Sequence, residues 1–423
     1  MRSFRRFFAV ISPAFLSSAA FAGVVGSGTP SSCTEAALQS EVAHGGVVTF
    51  NCGAGPQTIA FGTTLVFVSS FPKVTIDGGD TITLDGTGIT TGMIAVFGGN
   101  TALPDVTFKH ITIANGNINT GLNAGGAIQN FGTLTLDTVT LKNNQSSGAG
   151  AIFQEPCTGC LTPSLNATHC LFQDNSTGSG AISIQGGNAT IADSTFSGNT
   201  AASAGAIEVY GNANFAVDVT VERCTFTGNA ATGGDGGAIS VELLNPHSAV
   251  RIANDTFTGN TAKRKGAAIA VTAAPVTITN CTIAGNNADA TVGAIYFGAN
   301  TTAMNNTIIA GNSGGNCSFA AGSVFGGSHN LQFGDSTCSS AAVADPLLGP
   351  LADNGGPTRT MALGAGSPAI DAADTSIAPP TDQRGASRDD GNGDGVVAAD
   401  IGAFEAPGGS GTPPPARHRA VKH

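Results

Sequence analysis

Thr225-Phe226-Thr227-Gly228-Asn229 is the stretch that decides the fold, because near copies of it return along the chain. Strong copies are centred on Phe172, Phe196, Phe257 and Ile283, and weaker ones on Ile113, Leu141 and Ile309. A second element, Gly-Ala-Ile or close to it, falls between the copies, with its isoleucine at Ile128, Ile152, Ile182, Ile207, Ile239, Ile269 and Ile295. The period of 24 to 32 residues predicts stacked units that bury their apolar faces only against one another.

The residue types in each unit predict strands. Stretches such as Val74-Thr75-Ile76-Asp77-Gly78 alternate β-branched apolar and polar residues before a turn. Two or three such strands per unit predict one coil of a right-handed parallel β-helix, an all-β solenoid with adjacent coils about 4.8 Å apart. The phenylalanines then stack inward as a column. We expect the recurring asparagines to take a left-handed backbone and to bond to the next coil's asparagine: Asn175, Asn199, Asn229 and Asn260.

Composition favours the same fold. The chain of 423 residues has 60 glycines, and only 11% of its residues are charged, against roughly a quarter in an ordinary domain. Such a chain has many tight turns and a surface of small polar groups. The formal net charge of −11 argues against nucleic acid and anionic membrane surfaces as partners.

The first 22 residues have the pattern of an export signal. Arg2, Arg5 and Arg6 precede an apolar run over residues 7–19, and Ala20-Phe21-Ala22 forms a small-x-small cleavage site. The run is too short to span a membrane, so we expect a secreted or surface-associated protein without membrane insertion. The predicted organisation continues with an N-terminal cap over 23–60, the β-helix over 61–315, a C-terminal region over 316–406 and a disordered Gly/Pro-rich tail over 407–423.

Export permits disulfides. Cys33 and Cys52 flank a predicted amphipathic helix that begins with a capping box of Ser32 and Glu35 and ends near Gly45 or Gly46. This helix would plug the open end of the solenoid and cover the unpaired edge of its first coil. We expect Cys33 and Cys52 to form a disulfide.

The other cysteines divide into three groups. Cys317 and Cys338 bracket a Gly- and Ser-rich loop and are expected to form a second disulfide. Cys157 and Cys160 form a Cys-x-x-Cys, for which a local disulfide or free thiols are favoured over a redox or zinc site. The last three share one repeat position and lie two coils apart, too far for a bond: Cys170, Cys224 and Cys281.

Two resemblances extend this interpretation. The Phe-x-x-Asn and Gly-Ala-Ile repeats resemble those of chlamydial polymorphic outer-membrane proteins, which are β-helical surface adhesins. The C-terminal region resembles the choice-of-anchor Q region of secreted bacterial β-helix proteins, to which no catalytic residues are assigned; the matching motifs are DPLLGPL at 345–351, DNGGPT at 353–358, GSPAID at 366–371, DQRG at 382–385 and DIGAFE at 400–405. Only a tail ending in Arg417, Arg419 and Lys422 follows, so attachment and release are both open.

One motif of the C-terminal region suggests a metal. The start of a calcium loop, with oxygen ligands at alternate positions and a glycine at the sharp turn, is matched by Asp390, Asn392, Asp394 and Gly395. The closing acid, Asp400, falls at position 11, where about position 12 is usual, so a solvated acidic turn is the alternative. Asp371, Asp382 and Arg384 are interpreted as an ion-pair cluster that fixes this region.

Acidic groups on the strand after Gly-Ala-Ile suggest a second kind of site. Outward positions on four consecutive coils carry Glu155, Gln185, Glu208, Tyr210 and Glu242. The carboxyls of Glu208 and Glu242 would lie roughly 8 Å apart, which suits an inverting glycosidase. However, the chain has no Trp and two Tyr, so it lacks the aromatic platforms usual in sugar grooves.

These observations favour a non-catalytic interaction protein, such as an adhesin, that binds an extracellular protein or glycan. No cofactor is expected apart from the calcium at the Asp390 loop. The alternative is an extracellular polysaccharide lyase or hydrolase that acts on the solenoid face, an inference that depends on fold analogy alone.

Overall fold

Each repeat forms one coil of a right-handed parallel β-helix, as predicted. The structure is a computed structural model that describes residues 22–71, 73–118, 124–243, 245–273, 275–288, 292–298, 302–323, 325–388 and 397–407. From the coil of Asp105–Ala114 to that of Thr282–Ala284, each coil passes in turn through a bent first sheet, a short second sheet and a third sheet; among the described residues, the coils before and after these have no strand in the second sheet. Corresponding strands of successive coils pair in parallel. Parallel pairing extends from Ala22 to Val343, past the predicted end of the solenoid at residue 315.

The first sheet has 21 strands. Those before its bend are Ala22–Val25, Gly46–Phe50, Ser164–Thr168, Gly187–Ala192, Val217–Glu222, Ala249–Ala253, Val276–Thr279, Thr302–Asn305 and Phe325–Gly326. Those after the bend are Gln57–Ala60, Leu171–Gln173, Thr195–Ser197, Thr225–Thr227, Thr256–Thr258, Thr282–Ala284, Ile308–Ala310, Asn330–Phe333 and Ala341–Val343. Three strands run through it: Val74–Asp85, Asp105–Ala114 and Thr133–Lys142.

The other two solenoid sheets are narrower. The second consists of Asn117–Ile118, Gln145–Ser146, Ser176–Ser179, Thr200–Ser203, Ala230–Ala231, Thr261–Ala262 and Asn287–Ala288. The third consists of Leu65–Val68, Ile94–Phe97, Ile128–Asn130, Ile152–Gln154, Ile182–Ile184, Ile207–Gly211, Ile239–Leu243, Ile269–Ala273, Ile295–Phe297 and Cys317–Phe319. With only three to five residues per strand, each coil of the third sheet presents one or two side chains to the outside.

The predicted phenylalanine column is the centre of the core. Phe172, Phe196, Phe226 and Phe257 are fully buried, and their ring centroids follow one another at 4.5, 4.8 and 4.7 Å with nearly parallel planes. Ile283 continues the column, paired with Phe257. These centroid distances match the spacing of neighbouring parallel strands, so each ring stacks directly on the ring of the next coil.

A buried asparagine ladder closes the turn after the first sheet. The amide of Asn199 donates to Asn229 Oδ1 at 2.9 Å, and the amide of Asn229 donates to Asn260 Oδ1 at 2.9 Å. The predicted amide ladder is therefore confirmed, but the predicted left-handed backbone at these asparagines is wrong. The residue before each asparagine takes it, at φ 66° in Gly198 and 65° in Gly228, because glycine adopts this conformation without steric cost.

A second internal ladder lies just after the bend. Cys170 N–H donates to Ser194 Oγ at 3.0 Å, and Cys224 N–H donates to Asp255 Oδ1 at 2.6 Å. Cys281 N–H then donates to Thr307 Oγ1 at 3.3 Å. The three cysteines are free and buried, in agreement with their shared repeat position.

The N-terminal cap contains the helix Glu35–Val42, preceded by a 3-10 turn at Pro30–Ser32. The predicted capping box is wrong, because Thr34 is the N-cap and its side chain accepts from Ala37 N–H at 3.2 Å. Glu35 instead accepts hydrogen bonds from the backbone of Gly62 and Thr63. The disulfides Cys33–Cys52 and Cys317–Cys338 are both present, as predicted.

The irregular C-terminal extension packs on the outside of the first sheet. It includes an antiparallel pair, Leu348–Ala352 with Thr360–Leu363. Gln383 is fully buried and donates to Thr225 Oγ1 at 3.0 Å, while Thr256 Oγ1 donates to Gln383 Oε1 at 2.6 Å. The extension therefore covers outward threonines that lie near the middle of the solenoid. No helix in the part of the chain described above is long and apolar enough to cross a bilayer.

Candidate functional site

A continuous column of side chains lies on the outer face of the third sheet. Backbone pairing puts Phe97 beside Phe131, and Phe131 N–H donates to Val96 O at 2.8 Å. The same register continues coil by coil, because Gln185 N–H donates to Gln154 O and Tyr210 pairs directly with Glu242. We call this set the Phe97–Glu242 column; its members are Phe97, Phe131, Glu155, Gln185, Tyr210 and Glu242.

The apolar end of this column was missed by sequence reasoning. The rings of Phe97 and Phe131 stack with centroids 5.7 Å apart, and 41% of the Phe97 surface is exposed. The strand Ile94-Ala95-Val96-Phe97 lacks the Gly-Ala-Ile signature, so its register with later coils was not recognised. Aligning Ile94 with Ile128 would have revealed the pair.

Glu208 lies on the neighbouring outward column, beside Ser183 and Ser240. Ser183 Oγ donates to its carboxylate at 2.9 Å and Ser203 Oγ at 3.2 Å. Burial raises the pKa of Glu208 above its ordinary value, the serine hydroxyls oppose this rise, and the charge of Glu242 adds to it. Burial alone raises the pKa of Glu155.

Glu208 and Glu242 are therefore on adjacent coils of one face, as the sequence indicated. They are diagonal neighbours, since Glu208 pairs with Ser240 and Glu242 pairs with Tyr210. Glu242 is exposed, whereas Glu208 is largely covered. Both residues are carboxylic acids, as in a glycosidase, but the Glu208 carboxylate already accepts hydrogen bonds from Ser183 and Ser203.

Two shallow hollows lie on other parts of the described surface. One of about 260 Å³ is lined by strands of the second sheet, Ala230–Ala231 and Thr261–Ala262, with Thr232, Lys263 and Asn287. The other, of about 280 Å³, is lined mainly by polar residues of turns and of the second sheet, such as Asn115, Asn117 and Asn143. Neither includes a residue of the third sheet.

The far end of the third sheet carries the other tyrosine. Tyr296 is outward-facing, and Lys265 Nζ lies 4.3 Å from its ring centroid and 3.2 Å from its hydroxyl. Both tyrosines of the chain are thus on this one face. The ammonium over the ring is a cation–π contact that fixes Lys265 beyond the Glu242 end of the column.

The predicted calcium ligands Asp390, Asn392 and Asp394 lie outside the described residues. Asp400 is fully buried, and its carboxylate accepts from Asp371 N–H at 2.8 Å and Ala406 N–H at 2.6 Å. Burial raises the pKa of Asp400 to about 6. Within the described ranges, no group of three or more His, Cys, Asp or Glu is arranged to hold a metal.

The neighbouring charges fix the C-terminal extension. Arg384 pairs with Asp382 at 2.7 Å, which confirms that part of the predicted ion-pair cluster. Asp371 contributes its backbone N–H to Asp400. A further buried pair was not foreseen: Arg388 contacts Glu405 at 2.8 Å and donates to Asn254 Oδ1 of the solenoid at 2.7 Å.

Six of the cysteines are paired in disulfides and the other three are buried. Cys157 and Cys160 form a local disulfide in the loop after Glu155. The thiols of Cys170, Cys224 and Cys281 are buried, and burial raises the pKa of each, to about 12 for Cys170. A thiol with such a pKa stays protonated and unreactive.

A match to a known protein family supports the fold. Residues 180–344 match the family described as a right-handed β-helix region. Among solved structures, the chain is similar to the PL6 family alginate lyase AlyGC, with 14% identity and a TM-score of 0.40. That alignment covers 80% of this chain and 55% of the lyase chain, so it spans only about half of that enzyme. No curated protein matches the sequence. The chain is a parallel β-helix protein.

Proposed function

We propose that this protein is an extracellular, non-catalytic interaction protein of the adhesin type, secreted or held at a cell surface. Its ligand contacts the outer face of the third sheet. The observation that supports this most is the Phe97–Glu242 column, in which aromatic rings and carboxyls lie on successive coils, exposed at Phe97 and Glu242 and partly exposed between them. Exposed apolar surface next to polar groups is typical of interaction sites.

Two features support an extracellular location. The pattern of residues 1–22 is that of an export signal. The three disulfides Cys33–Cys52, Cys157–Cys160 and Cys317–Cys338 are typical of oxidising compartments. Mass mapping of the exported protein without reduction should find Gly23 as its first residue and all three bonds intact; free thiols at these six positions would count against export.

One observation favours the alternative of a polysaccharide lyase or hydrolase. Glu208 has a raised pKa and Glu242 lies diagonally beside it, and a general acid needs a raised pKa. Against this, Glu208 is held by Ser183 and Ser203, whereas a catalytic pair needs room for substrate between its carboxyls.

The test compares binding and turnover on one panel. Purified wild type is incubated with extracellular matrix proteins and with neutral and charged polysaccharides, and both bound ligand and new reducing or unsaturated ends are measured. We expect binding without product, weakened by the double variant Phe97→Ala/Glu242→Gln. The matched control is Phe333→Ala/Asp174→Asn, which removes a ring that is also 41% exposed and an exposed carboxylate on other surfaces.

Two outcomes would overturn the proposal. Product formation that disappears in Glu208→Gln would identify an enzyme. If Phe97→Ala/Glu242→Gln and the control variant bound every ligand of the panel equally tightly, the third sheet would not be the interaction surface.

A further inference from the structure

The outer face of the third sheet carries three carboxyls and, at its far end, the ammonium of Lys265. On the first sheet, several carboxylates form ion pairs with a neighbouring coil, as in Asp105 with Lys73 at 2.9 Å and Asp218 with Arg251 at 2.7 Å. By contrast, across the described part of the chain, ion-pair partners are absent for three third-sheet carboxyls: Glu155, Glu208 and Glu242. Lys265, on the same face, contacts the ring and the hydroxyl of Tyr296 rather than a carboxylate.

This face is also long and narrow. The Phe97–Glu242 column spans six coils, or roughly 24 Å at the usual strand spacing. Each coil adds only one or two outward side chains, such as Glu208 and Tyr210 on the strand Ile207–Gly211. A globular partner would contact a broader patch, so the shape suits a linear polymer that lies along the solenoid axis.

From these two features we infer that the Phe97–Glu242 column binds a linear polysaccharide of amino sugars whose amines are protonated; this inference rests on the proposed function. The amines pair with Glu155 and Glu242, and the apolar faces of the sugar rings contact Phe97 and Phe131. The amide of Gln185 and the hydroxyl of Tyr210 lie between Glu155 and Glu242 in the column, where they form hydrogen bonds with the sugar hydroxyls.

The spacing favours a glycan over a basic peptide. In an extended peptide, side chains on one side are roughly 6.7 Å apart. This distance does not match the spacing of roughly 4.8 Å between coils. A linear polysaccharide advances by close to one coil spacing per sugar ring, so successive rings meet equivalent positions of successive coils. A basic peptide would therefore pair with only some of the carboxylates at a time.

The experiment uses isothermal titration of the mature protein at slightly acidic pH with four probes: a β-1,4-linked glucosamine hexamer, the matching N-acetylglucosamine hexamer, a guluronate hexamer and hexalysine. We expect the glucosamine hexamer to bind most tightly and to weaken with added salt. Because exposed ion pairs each contribute little, Glu155→Gln/Glu242→Gln should weaken it about tenfold. Phe97→Ala should weaken it about threefold, and Asp174→Asn and Phe333→Ala should leave it unchanged.

Several results would overturn the inference. Equal affinity for the N-acetylated hexamer would remove the charge argument, and equal affinity for hexalysine would favour a basic protein segment as the ligand. Absence of glucosamine-hexamer binding would refute the amino-sugar assignment alone. A different result would refute the proposed function. In that case the double variant Phe97→Ala/Glu242→Gln would bind every ligand of the broader panel as tightly as the control variant Phe333→Ala/Asp174→Asn.

Discussion

Replacing Asn229 by Ala should destabilise the solenoid more than any exposed asparagine can. Asn229 Nδ2 donates to Asn260 Oδ1 at 2.9 Å and to Phe196 O at 3.0 Å. Its Oδ1 accepts from Asn199 N at 3.1 Å and from Asn199 Nδ2 at 2.9 Å. Every partner is buried, so the substitution leaves four polar atoms with a lost hydrogen bond. At about 1 kcal/mol for each bond, the free energy of unfolding should fall by about 4 kcal/mol.

The assay is urea unfolding followed by circular dichroism, with the disulfides intact and the slopes of the transitions compared. Asn166→Ala is the matched control, since Asn166 is exposed on the first sheet and a surface change should stay within about 0.5 kcal/mol. Asn229→Asp distinguishes the loss of hydrogen bonds from the loss of side-chain volume. The carboxylate has nearly the same volume as the amide and keeps the acceptors, but it loses both donors. A loss below about 1 kcal/mol for Asn229→Ala would refute the ladder as a source of stability.

Three further predictions concern the core, the C-terminal extension and the metal. Phe226→Ala should cost about 3 to 5 kcal/mol in the same assay, because the fully buried ring stacks on two others; a value near zero would contradict the inward register. Burial raises the pKa of Asp400 to about 6 and of Glu405 to about 7, so the folded form holds these protons more tightly than the unfolded chain. The docking of the extension should therefore be strongest near pH 4 and weaken as the pH rises through about 6 to 7, measured as proteolysis of the extension, and a flat profile in the wild type would contradict this. Calcium should raise the melting temperature, and Asp390→Ala/Asp394→Ala should abolish the rise; calorimetry showing no uptake at millimolar calcium would leave an acidic turn.

The solenoid could be predicted because its information is local and repeated. Phe196 and Phe226 occupy equivalent positions in near-identical pentapeptides, and parallel in-register pairing must bring equivalent positions together. The amide ladder follows for the same reason. The backbone conformation did not follow, because the preceding glycine takes the left-handed turn that asparagine tolerates less well.

The candidate face and the C-terminal docking were harder to foresee. Phe97 lies in an early coil without the Gly-Ala-Ile signature, so its stack with Phe131 was recognised only from the pairing of Ile94 with Ile128. Gln383 meets Thr225 and Thr256 across more than 100 residues of chain. No periodicity marks such a contact, because the extension is irregular and its partners are ordinary outward threonines.

The most direct test of the interaction surface is carboxyl footprinting by mass spectrometry, with and without the glucosamine hexamer. Carbodiimide-driven labelling is compared at Glu155 and Glu242, which the bound polymer should cover, and at Asp174, which lies on another surface. We predict that the hexamer slows labelling of Glu155 and Glu242 several-fold and leaves Asp174 unchanged. If the hexamer binds but Glu155 and Glu242 are still labelled as fast as in the free protein, the assignment of this face is contradicted.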